Sequence, residues 1–271
     1  MKGQGDMAGR AAEGPLEVIR RTELSRVRAW FSPGMRVLEI GGGNGYQAAI
    51  IASWGCRIAS IDIASRPAWA TLYYPIITYD GYNIPFESAS FDLVFSSNVL
   101  EHVRHLPALL SEIRRVLKPN GFAIHILPTP SWRFWTSVAH YGYLLLYILR
   151  RQPKILGVEQ PPTASTLIQR RGVMYLLRRA LLAGPHGEYP NAVSELYYFS
   201  KRRWVKVFET NGFEVQHYAT NGLFYTGYLL FGGLNVASMQ ALARYLGSSC
   251  HIFVTRAVPV AASGDASSNP R

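Results

Sequence analysis

The sequence predicts an α/β fold in which most strands of one central sheet run parallel. The first observation is that residues 35–63 follow the order strand, glycine turn, helix and strand, which is a βαβ unit with a right-handed crossover. The second is that strand and helix patterns keep alternating as far as residue 128. The third is that the strand segments are nearly continuously apolar, which is typical of strands covered on both faces.

The individual elements follow from hydrophobic periodicity and from the residues that end each run. The first helix covers residues 15–31, because apolar residues recur there at helical spacing and Ser32-Pro33-Gly34 ends it. The clearest helix covers 105–118, where apolar residues form one stripe and Pro119-Asn120-Gly121 ends it. Further helices are expected at 47–55 and 200–212, and strands at 35–40, 57–63, 75–80, 91–98, 122–128, 213–219 and 251–257.

The composition excludes several classes of protein. Of 271 residues, 48% are hydrophobic and only 17% are charged, so the chain can bury enough apolar surface to fold, which excludes whole-chain disorder. Two cysteines, Cys56 and Cys250, are too few for a disulfide scaffold or a cysteine-based zinc site and fit a reducing compartment. The first residues lack an apolar secretory segment, so we expect a cytoplasmic location.

A glycine-rich loop directly follows the first apolar strand. Gly41, Gly43 and Gly45 lie between this strand and the next helix, and Glu39 lies inside the strand. Glycines here let the backbone turn tightly and approach a ligand, while the helix N-terminus offers unpaired N–H groups. The spacing departs from the nicotinamide-type pattern G-x-G-x-x-G, whose third position falls on Tyr46. The loop therefore predicts ligand binding, with an ordinary tight turn as the alternative.

Polar residues also end the next three strands. Asp62 ends the second strand, about where an acid that binds ribose hydroxyls is expected. Asp80 ends the third, where a carboxylate can accept from an exocyclic amine such as that of adenine. Ser97 and Asn98 end the fourth, at the edge where open α/β sheets bind ligands. An adenosine-containing ligand is favoured; a capping or surface acid at Asp62 and a plain Asp-Gly turn at Asp80 are the alternatives.

Four ordered motifs carry a resemblance to a known family. They are VLEIGGGNG, IDIAS, YDGYNIPFESASFDLVFSSNVLEHV and RVLKPNGFAI, between about Met35 and Pro128. In these motifs the chain resembles the class I S-adenosylmethionine-dependent methyltransferases, specifically the small-molecule type that includes enzymes of the ubiquinone and biotin pathways. The resemblance implies a Rossmann-like sheet that is mostly parallel with an antiparallel last strand. It also implies S-adenosyl-L-methionine as the cofactor.

The resemblance further implies a role for each matching residue. The amino-acid and ribose part of the cofactor pocket is assigned to Glu39, Gly41, Gly43 and Gly45. Asp62 would bind the ribose hydroxyls, and Asp80 with Gly81 would border the adenine. Ser97 and Asn98 would line the wall near the methyl group. The acceptor is not implied, because the segment after the fifth strand has no counterpart in the minimal family pattern.

That segment, between Thr129 and Asn211, interrupts the alternation for far longer than an ordinary connection. We expect it to form a largely helical insertion after the fifth strand. The expected regions are a disordered tail (1–14), a cofactor-binding α/β core (15–128), a basic and apolar cap (129–211), the end of the core with a final β-hairpin (212–257) and a second disordered tail (258–271).

Two histidines are candidate catalytic residues. His102 follows the fourth strand, and His186 lies in a loop of turn residues within the insertion, with Glu188 and Glu195 as candidate partners. A general base is needed only when the methyl acceptor is a neutral hydroxyl, because positioning supplies much of the acceleration of an in-line displacement. A helix start is the alternative for His102. No histidine pair shows metal-ligand spacing in the sequence, so no metal is predicted.

Most of the positive charge lies in the insertion. The whole chain has a formal net charge of +11, and residues 129–211 hold twelve basic and four acidic residues, a net +8. The run at 132–151 has an aromatic, Leu-rich body flanked by arginines; it is short for a transmembrane helix and suits a membrane interface better. A second apolar run lies at 221–239. A buried subdomain or a dimer contact is the alternative for both, and nucleic-acid binding is disfavoured because no RNA-binding module accompanies the charge.

The sequence therefore predicts methyl transfer, expected at an oxygen, to a small or lipid- or glycan-linked acceptor. An anionic acceptor would explain the arginine clusters, and the enzyme would then lie at the inner face of the membrane. Two alternatives remain open: a soluble small-molecule methyltransferase whose insertion is only a lid, and a cofactor-binding subunit without catalysis. A nicotinamide oxidoreductase is the weakest rival. The oligomeric state is left open.

Overall fold

The computed structural model describes residues 14–63, 72–148, 184, 186–227 and 234–258. The strands are β1 (Arg36–Ile40), β2 (Arg57–Ile63), β3 (Ile77–Tyr79), β4 (Phe91–Ser97), β5 (Leu117–Pro128), β6 (Phe213–Thr220) and β7 (Cys250–Ala257). The helices are α1 (Pro15–Val27), α2 (Tyr46–Ser53), α3 (Leu106–Val116), α4 (Pro130–Ile148), α5 (Ala192–Tyr198), α6 (Lys201–Thr210) and α7 (Val236–Leu246). Short 3-10 turns lie at Arg28–Trp30 and Leu100–His102.

The seven strands form one sheet in the order β3-β2-β1-β4-β5-β7-β6. Neighbouring strands from β3 to β5 pair parallel, and β7 pairs antiparallel with both β5 and β6. The prediction of a Rossmann-like, mostly parallel sheet whose last strand is antiparallel is therefore confirmed. From β1 the chain first adds β2 and β3 on one side of the sheet, and it then returns to add β4 on the other side of β1. The gap between β1 and β4 is therefore the topological switch point, where open α/β sheets bind ligands.

Helices cover both faces of the sheet. On one face α3 and α6 bury Ile113 and Trp204 in a core that includes Val94 of β4. On the other face α1 and α2 bury Leu24 and Ile51 in a second core. Burial on both sides explains why β4 reads as an almost uninterrupted apolar run, and it holds the carboxyl ends of the strands in fixed positions.

One strand boundary differs from the sequence prediction. β5 begins at Leu117, five residues before the predicted start, because Leu117 already pairs with Phe91 before the register shifts to Leu93 opposite Phe122. The proline at Pro119 explains the early start, since the residue before a proline is pushed toward an extended conformation. The Pro119-Asn120-Gly121 segment that follows α3 therefore forms the irregular first part of β5 instead of a simple turn.

Several predictions lie partly or wholly outside the described residues. These are the two tails, most of the insertion between α4 and residue 184, and its arginine pairs Arg150/Arg151, Arg170/Arg171 and Arg178/Arg179. The described part of the insertion holds α4, α5 and α6. Within the residues that the structure describes, no helix is long and apolar enough to cross a membrane.

The second apolar run, at 221–239, is largely internal where it is described. Leu223 and Phe224 are fully buried, and Leu223 packs with Ile19 of α1 and Met239 of α7. Its described part therefore fits the buried-core alternative and not the membrane-interface one.

Candidate cofactor and acceptor site

The predicted cofactor residues lie at one edge of the sheet. Glu39 lies opposite Ser60 near the carboxyl end of β1, and Asp62 lies opposite Thr78 near the end of β2. Asp80 directly follows β3, and Ser97 ends β4 beside the switch point. Since the carboxyl ends of parallel strands meet at the same edge, four segments separated in sequence face one cleft.

The glycine loop has the backbone that its sequence predicts. Gly41, Gly43 and Gly45 have φ angles of 77°, 54° and 79°, a region that residues with a Cβ rarely adopt. A Cβ added at Gly45 would lie 2.6 Å from the carbonyl oxygen of Tyr74, so the loop also packs closely against the chain before β3. Among the residues that the structure describes, no atom lies within 4 Å of a Cβ added at Gly43. The loop is therefore anchored at its end, while its centre has no described neighbour at that position, which fits a bound ligand.

Glu39 is a buried carboxyl group at the base of this loop. It is 2% exposed, and its Oε2 accepts a 2.5 Å hydrogen bond from the Ser60 hydroxyl. Burial raises the pKa of Glu39 to about 7, against the lowering effect of that hydrogen bond, and the nearby Asp62 charge raises it further. A cation bound in the cleft would favour the ionised form, so this carboxyl group is suited to an ammonium group.

The two aspartates differ in how their oxygens are used. Asp62 Oδ2 accepts from the Gly43 N–H at 2.7 Å, which ties the end of β2 to the glycine loop. Asp80 accepts 2.7 Å hydrogen bonds from the N–H groups of Tyr82 and Asn83 and from the Asn83 side chain. These bonds lower the pKa of Asp80. Asp80 thus forms the Asp-Gly turn that was the alternative to an adenine-binding role, and Gly81 lies inside this turn. The turn remains at the edge of the cleft.

A polar network reaches Ser97 and Asn98 from α1. Arg20 donates to Ser97 Oγ at 3.2 Å and to Glu23 Oε2 at 2.8 Å. Glu23 is fully buried, and its second oxygen accepts from the Tyr225 hydroxyl at 2.7 Å. Asn98 has a φ of 54°, an uncommon value for a residue other than glycine, so the chain bends sharply where β4 ends. These hydrogen bonds therefore hold Ser97 in place at the wall near the predicted methyl position.

The two candidate histidines are neighbours in space. The ring centroids of His102 and His186 lie 4.7 Å apart, and the ring centroid of Trp132 lies 4.6 Å from that of His186. Gly187 explains the close approach, because a Cβ there would overlap the carbonyl oxygen of Glu101. Burial lowers the pKa of both histidines, and the charge of His102 lowers that of His186 further.

The candidate glutamate partners of His186 take other roles. Glu195 is buried, and its Oε1 accepts from the backbone N–H groups of His186 and Gly187 at 2.7 and 2.6 Å, not from the imidazole ring. Its Oε2 lies 2.9 Å from Nε of the buried Arg133. Glu188 pairs with Arg104 at 2.7 Å. The glutamates therefore hold the loop that carries His186.

Two further titratable residues lie away from the cleft. His125 lies buried inside β5, with Nδ1 2.8 Å from the Ser96 hydroxyl. Asp92 pairs with Lys118 Nζ at 2.7 Å and accepts from the Arg36 N–H at 2.8 Å near the start of β4. That position is the opposite edge of the sheet, so Asp92 is a structural acid.

A groove opens next to the histidines. It has a volume of about 610 Å³ and lies between the start of α3 and helices α5 and α6. Arg104, Arg203 and Lys206 give it positive charge, and Tyr189 and Tyr197 give it aromatic surface. Its lining includes Val103, which directly follows His102, and Glu188, which lies two residues after His186, so the groove lies next to the segments that carry both histidines.

Sequence reasoning missed the charged residues behind the cleft. Arg20, Glu23, Glu101 and Arg133 were not singled out, although Glu23 and Glu101 are buried. A signal existed for Glu23, which lies four residues after the buried Ile19 and so falls on the apolar face of α1. A charged residue on such a face marks a buried polar network. No comparable periodicity marks Arg133 or Glu101.

Comparisons with curated proteins find methyltransferases among the relatives of this chain. The biotin biosynthesis bifunctional protein BioHC of Cellvibrio japonicus is 32% identical over 125 residues, covering 42% of this chain and 25% of that protein. The demethylmenaquinone methyltransferase of Beutenbergia cavernae is 32% identical over 160 residues, covering 55% and 62%. The chain thus covers less than two thirds of the length of these curated relatives.

A solved structure shares the fold. The Burkholderia thailandensis 1,6-didemethyltoxoflavin-N1-methyltransferase, with bound 1,6-didemethyltoxoflavin and S-adenosylhomocysteine, aligns with a TM-score of 0.51 at 14% identity, covering 90% of this chain and 80% of that one. The two proteins therefore share the fold of class I methyltransferases. A family described as a methyltransferase domain matches residues 16–218, and the chain belongs to that family.

Proposed function

We propose that this methyltransferase acts on an oxygen of an anionic, lipid- or glycan-linked acceptor at the inner surface of a membrane. The observation that carries the proposal is the basic groove beside His102 and His186, next to a helix with an exposed apolar face. A soluble anionic acceptor is the second candidate, which the groove alone would support. The two differ in whether the protein needs a lipid surface.

The cofactor residues are assigned as follows in this proposal. Bound S-adenosyl-L-methionine supplies an electrophilic methyl group on a sulfonium. Glu39 holds the ammonium end, the glycine loop follows the amino-acid and ribose part, and Asp62 accepts from the ribose hydroxyls. Asp80 and Gly81 border the adenine, while Ser97 and Asn98 line the wall near the methyl group. Catalysis then depends mainly on the alignment of acceptor and methyl.

The groove supports an anionic acceptor. Arg203 and Lys206 lie one turn apart on α6, and neither forms an ion pair within the described part of the chain. Arg104 is partly neutralised by Glu188, so the groove retains a net positive charge. Arginine binds phosphate and carboxylate groups bidentately, and tyrosines offer flat surfaces for an attached ring or chain. The histidines at the end of this groove are proposed to face the reacting oxygen.

The apolar face of α4 supports a membrane surface. Phe134, Val138 and Tyr141 are 50%, 46% and 51% exposed and recur at four and three residues, so they share one side of the helix. Trp132 and Ala139 are buried on the side that faces the protein. An exposed apolar stripe in a segment with a net charge of +8 suits binding to anionic lipid.

Methyl transfer from labelled S-adenosylmethionine to a cell extract should place the label in the lipid phase. Double substitution of Arg203→Gln and Lys206→Gln should raise the apparent KM for the extract by about 10-fold or more, because two charge-assisted contacts to the anion are lost. The KM for the cofactor should stay unchanged. The measurement is label incorporation after phase separation, as a function of extract concentration.

A matched control replaces Arg57, at the far edge of the sheet near the start of β2, with Gln. This variant should behave like the unsubstituted protein in both KM values. Label found only in water-soluble products would favour the soluble acceptor. An unchanged KM in the groove variant would contradict the assignment of the groove.

Binding to vesicles should depend on the apolar face of α4. In co-sedimentation with vesicles that contain anionic phosphatidylglycerol, the triple variant Phe134→Ser, Val138→Ser and Tyr141→Ser should lose most of its binding, since three large side chains no longer insert. Binding should also weaken as salt is raised, because part of the attraction is electrostatic. The exposed Tyr245→Ser on α7 is the control and should bind normally. Equal binding by the triple variant would contradict the membrane proposal.

A further inference from the structure

Glu101 is a buried carboxylate whose oxygens lack hydrogen-bond partners. It lies in the 3-10 turn after β4 and is 1% exposed. Among the residues that the structure describes, no donor reaches either Oε1 or Oε2. An unpaired buried carboxylate is costly, so such a group stays protonated unless a cation completes its surroundings.

Two other buried glutamates near the cleft each have an arginine. Glu23 accepts from Arg20 at 2.8 Å, and Glu195 lies 2.9 Å from Arg133. The arginines are thus held by those two carboxylates. Within the described ranges Glu101 has no such pair. The two histidines lie beside it, and Arg20 lies near enough for its charge to act on this carboxyl group.

Both histidines present ring nitrogens toward this carboxylate. His102 Nε2 lies 3.8 Å from Glu101 Oε1, beyond hydrogen-bond distance. One ligand atom from each of Glu101, His102 and His186 lies within 4.8 Å of the other two. Two ligands bound at about 2.1 Å in tetrahedral geometry lie about 3.4 Å apart, so the side chains must draw together only slightly. His102 is free to adjust because its side chain is 43% exposed.

The backbone fixes the distance between the two segments. The Glu188 N–H donates to the Glu101 carbonyl at 3.1 Å, and Gly187 leaves no room for a side chain against the same carbonyl. Glu195 holds the N–H groups of His186 and Gly187 from the other side. These contacts therefore hold the loop that carries His186 close to Glu101 and His102.

We propose that Glu101, His102 and His186 bind one divalent transition-metal ion at the acceptor side of the cleft. Two imidazoles and one carboxylate form a ligand set that suits Zn²⁺, Co²⁺, Mn²⁺ or Fe²⁺ and leaves coordination positions open. An open position would accept an oxygen of the methyl acceptor and orient it. Binding of the ion itself does not depend on the proposed acceptor, since the three side chains come from this chain alone.

The test uses the full chain after removal of metal with a chelator, followed by equilibrium dialysis against Co²⁺ and elemental analysis. One equivalent of Co²⁺ should bind, and visible absorption bands should report its coordination. Glu101→Gln and His186→Ala should each weaken Co²⁺ binding by about 100-fold and alter the spectrum. Zn²⁺ should compete for the same site and displace the absorbing ion.

Controls separate this site from weak surface binding. His217→Ala removes an exposed histidine on β6 and should leave Co²⁺ binding unchanged. Glu101→Gln should fold normally, because it replaces a carboxylate that has no hydrogen-bond partner in the described structure; thermal unfolding checks this. Failure to bind Co²⁺ or Zn²⁺, or equal binding by the two ligand variants, would overturn the proposal. Loss of methyl transfer in Glu101→Gln without any metal binding would also overturn it and would indicate an acid–base role.

Discussion

Replacing Asp62 with Ala is expected to weaken S-adenosylmethionine binding by about 100-fold to 1,000-fold, which corresponds to about 3–4 kcal/mol. In the proposed site the carboxylate accepts from two ribose hydroxyls, and both charge-assisted bonds are lost. The substitution also releases the Gly43 N–H, which donates to Asp62 Oδ2 at 2.7 Å. The glycine loop then loses the bond that ties it to β2. Isothermal titration calorimetry with S-adenosylmethionine measures the change.

Two further variants separate these contributions. Asp62→Asn keeps an acceptor for the Gly43 N–H but removes the charge. Its affinity for S-adenosylmethionine should therefore lie between that of the unsubstituted protein and that of Asp62→Ala. Asp92→Ala removes an acid that pairs with Lys118 at the opposite edge of the sheet, and it should leave the affinity for the cofactor unchanged. A change of less than about 10-fold in Asp62→Ala would contradict the ribose assignment.

Glu39→Gln is expected to stabilise the protein without cofactor at pH 8 by about 3 kcal/mol. The pKa of Glu39 is about 7 in the folded chain against 4.5 for an ordinary glutamate, because burial disfavours its charge. Between these values the unfolded chain holds fewer protons, so the free energy of unfolding falls as pH rises from 4.5 to about 7. Glutamine is not ionised, so the variant lacks this loss.

The same substitution should weaken S-adenosylmethionine binding by about 10-fold or more, because a neutral amide replaces the anion proposed to hold the ammonium group. Denaturant unfolding at pH 5 and pH 8, compared between the two proteins, isolates Glu39 from the other buried groups. Glu87→Gln, at an exposed position after β3, is the control and should change neither property. Identical pH dependence in Glu39→Gln and the unsubstituted protein would contradict the assigned burial effect.

The meeting of the proposed cofactor residues at one edge of the sheet could be predicted because its signals are local. Gly41, Gly43 and Gly45 follow directly on an apolar strand, and Asp62 ends the next one. Once those strands are parallel, topology alone brings their carboxyl ends together. Asp80 shows the limit of such local reasoning, because its turn with Asn83 uses the same carboxylate that was expected to face adenine.

The acceptor side depended on contacts that no local pattern contains. The sequence marked His102 and His186 separately, and its candidate partners for His186 proved to bind the backbone and Arg104 instead. Periodicity reports which face of an element is buried, but it does not report which residues from distant segments meet there. That is why no signal in the sequence marked Glu101, although it directly precedes the candidate His102.

The sequence by itself determined the fold, and it predicted the edge of the sheet proposed to bind the cofactor, since both depend on short-range patterning and on the fixed handedness of βαβ units. Only the tertiary structure decided that His186 lies against His102 and that Glu101 is buried near the paired glutamates Glu23 and Glu195. The physical reason is that these positions follow from close packing at Gly187 and from the buried Arg133–Glu195 pair. Such contacts form only when segments far apart in the chain have already folded together.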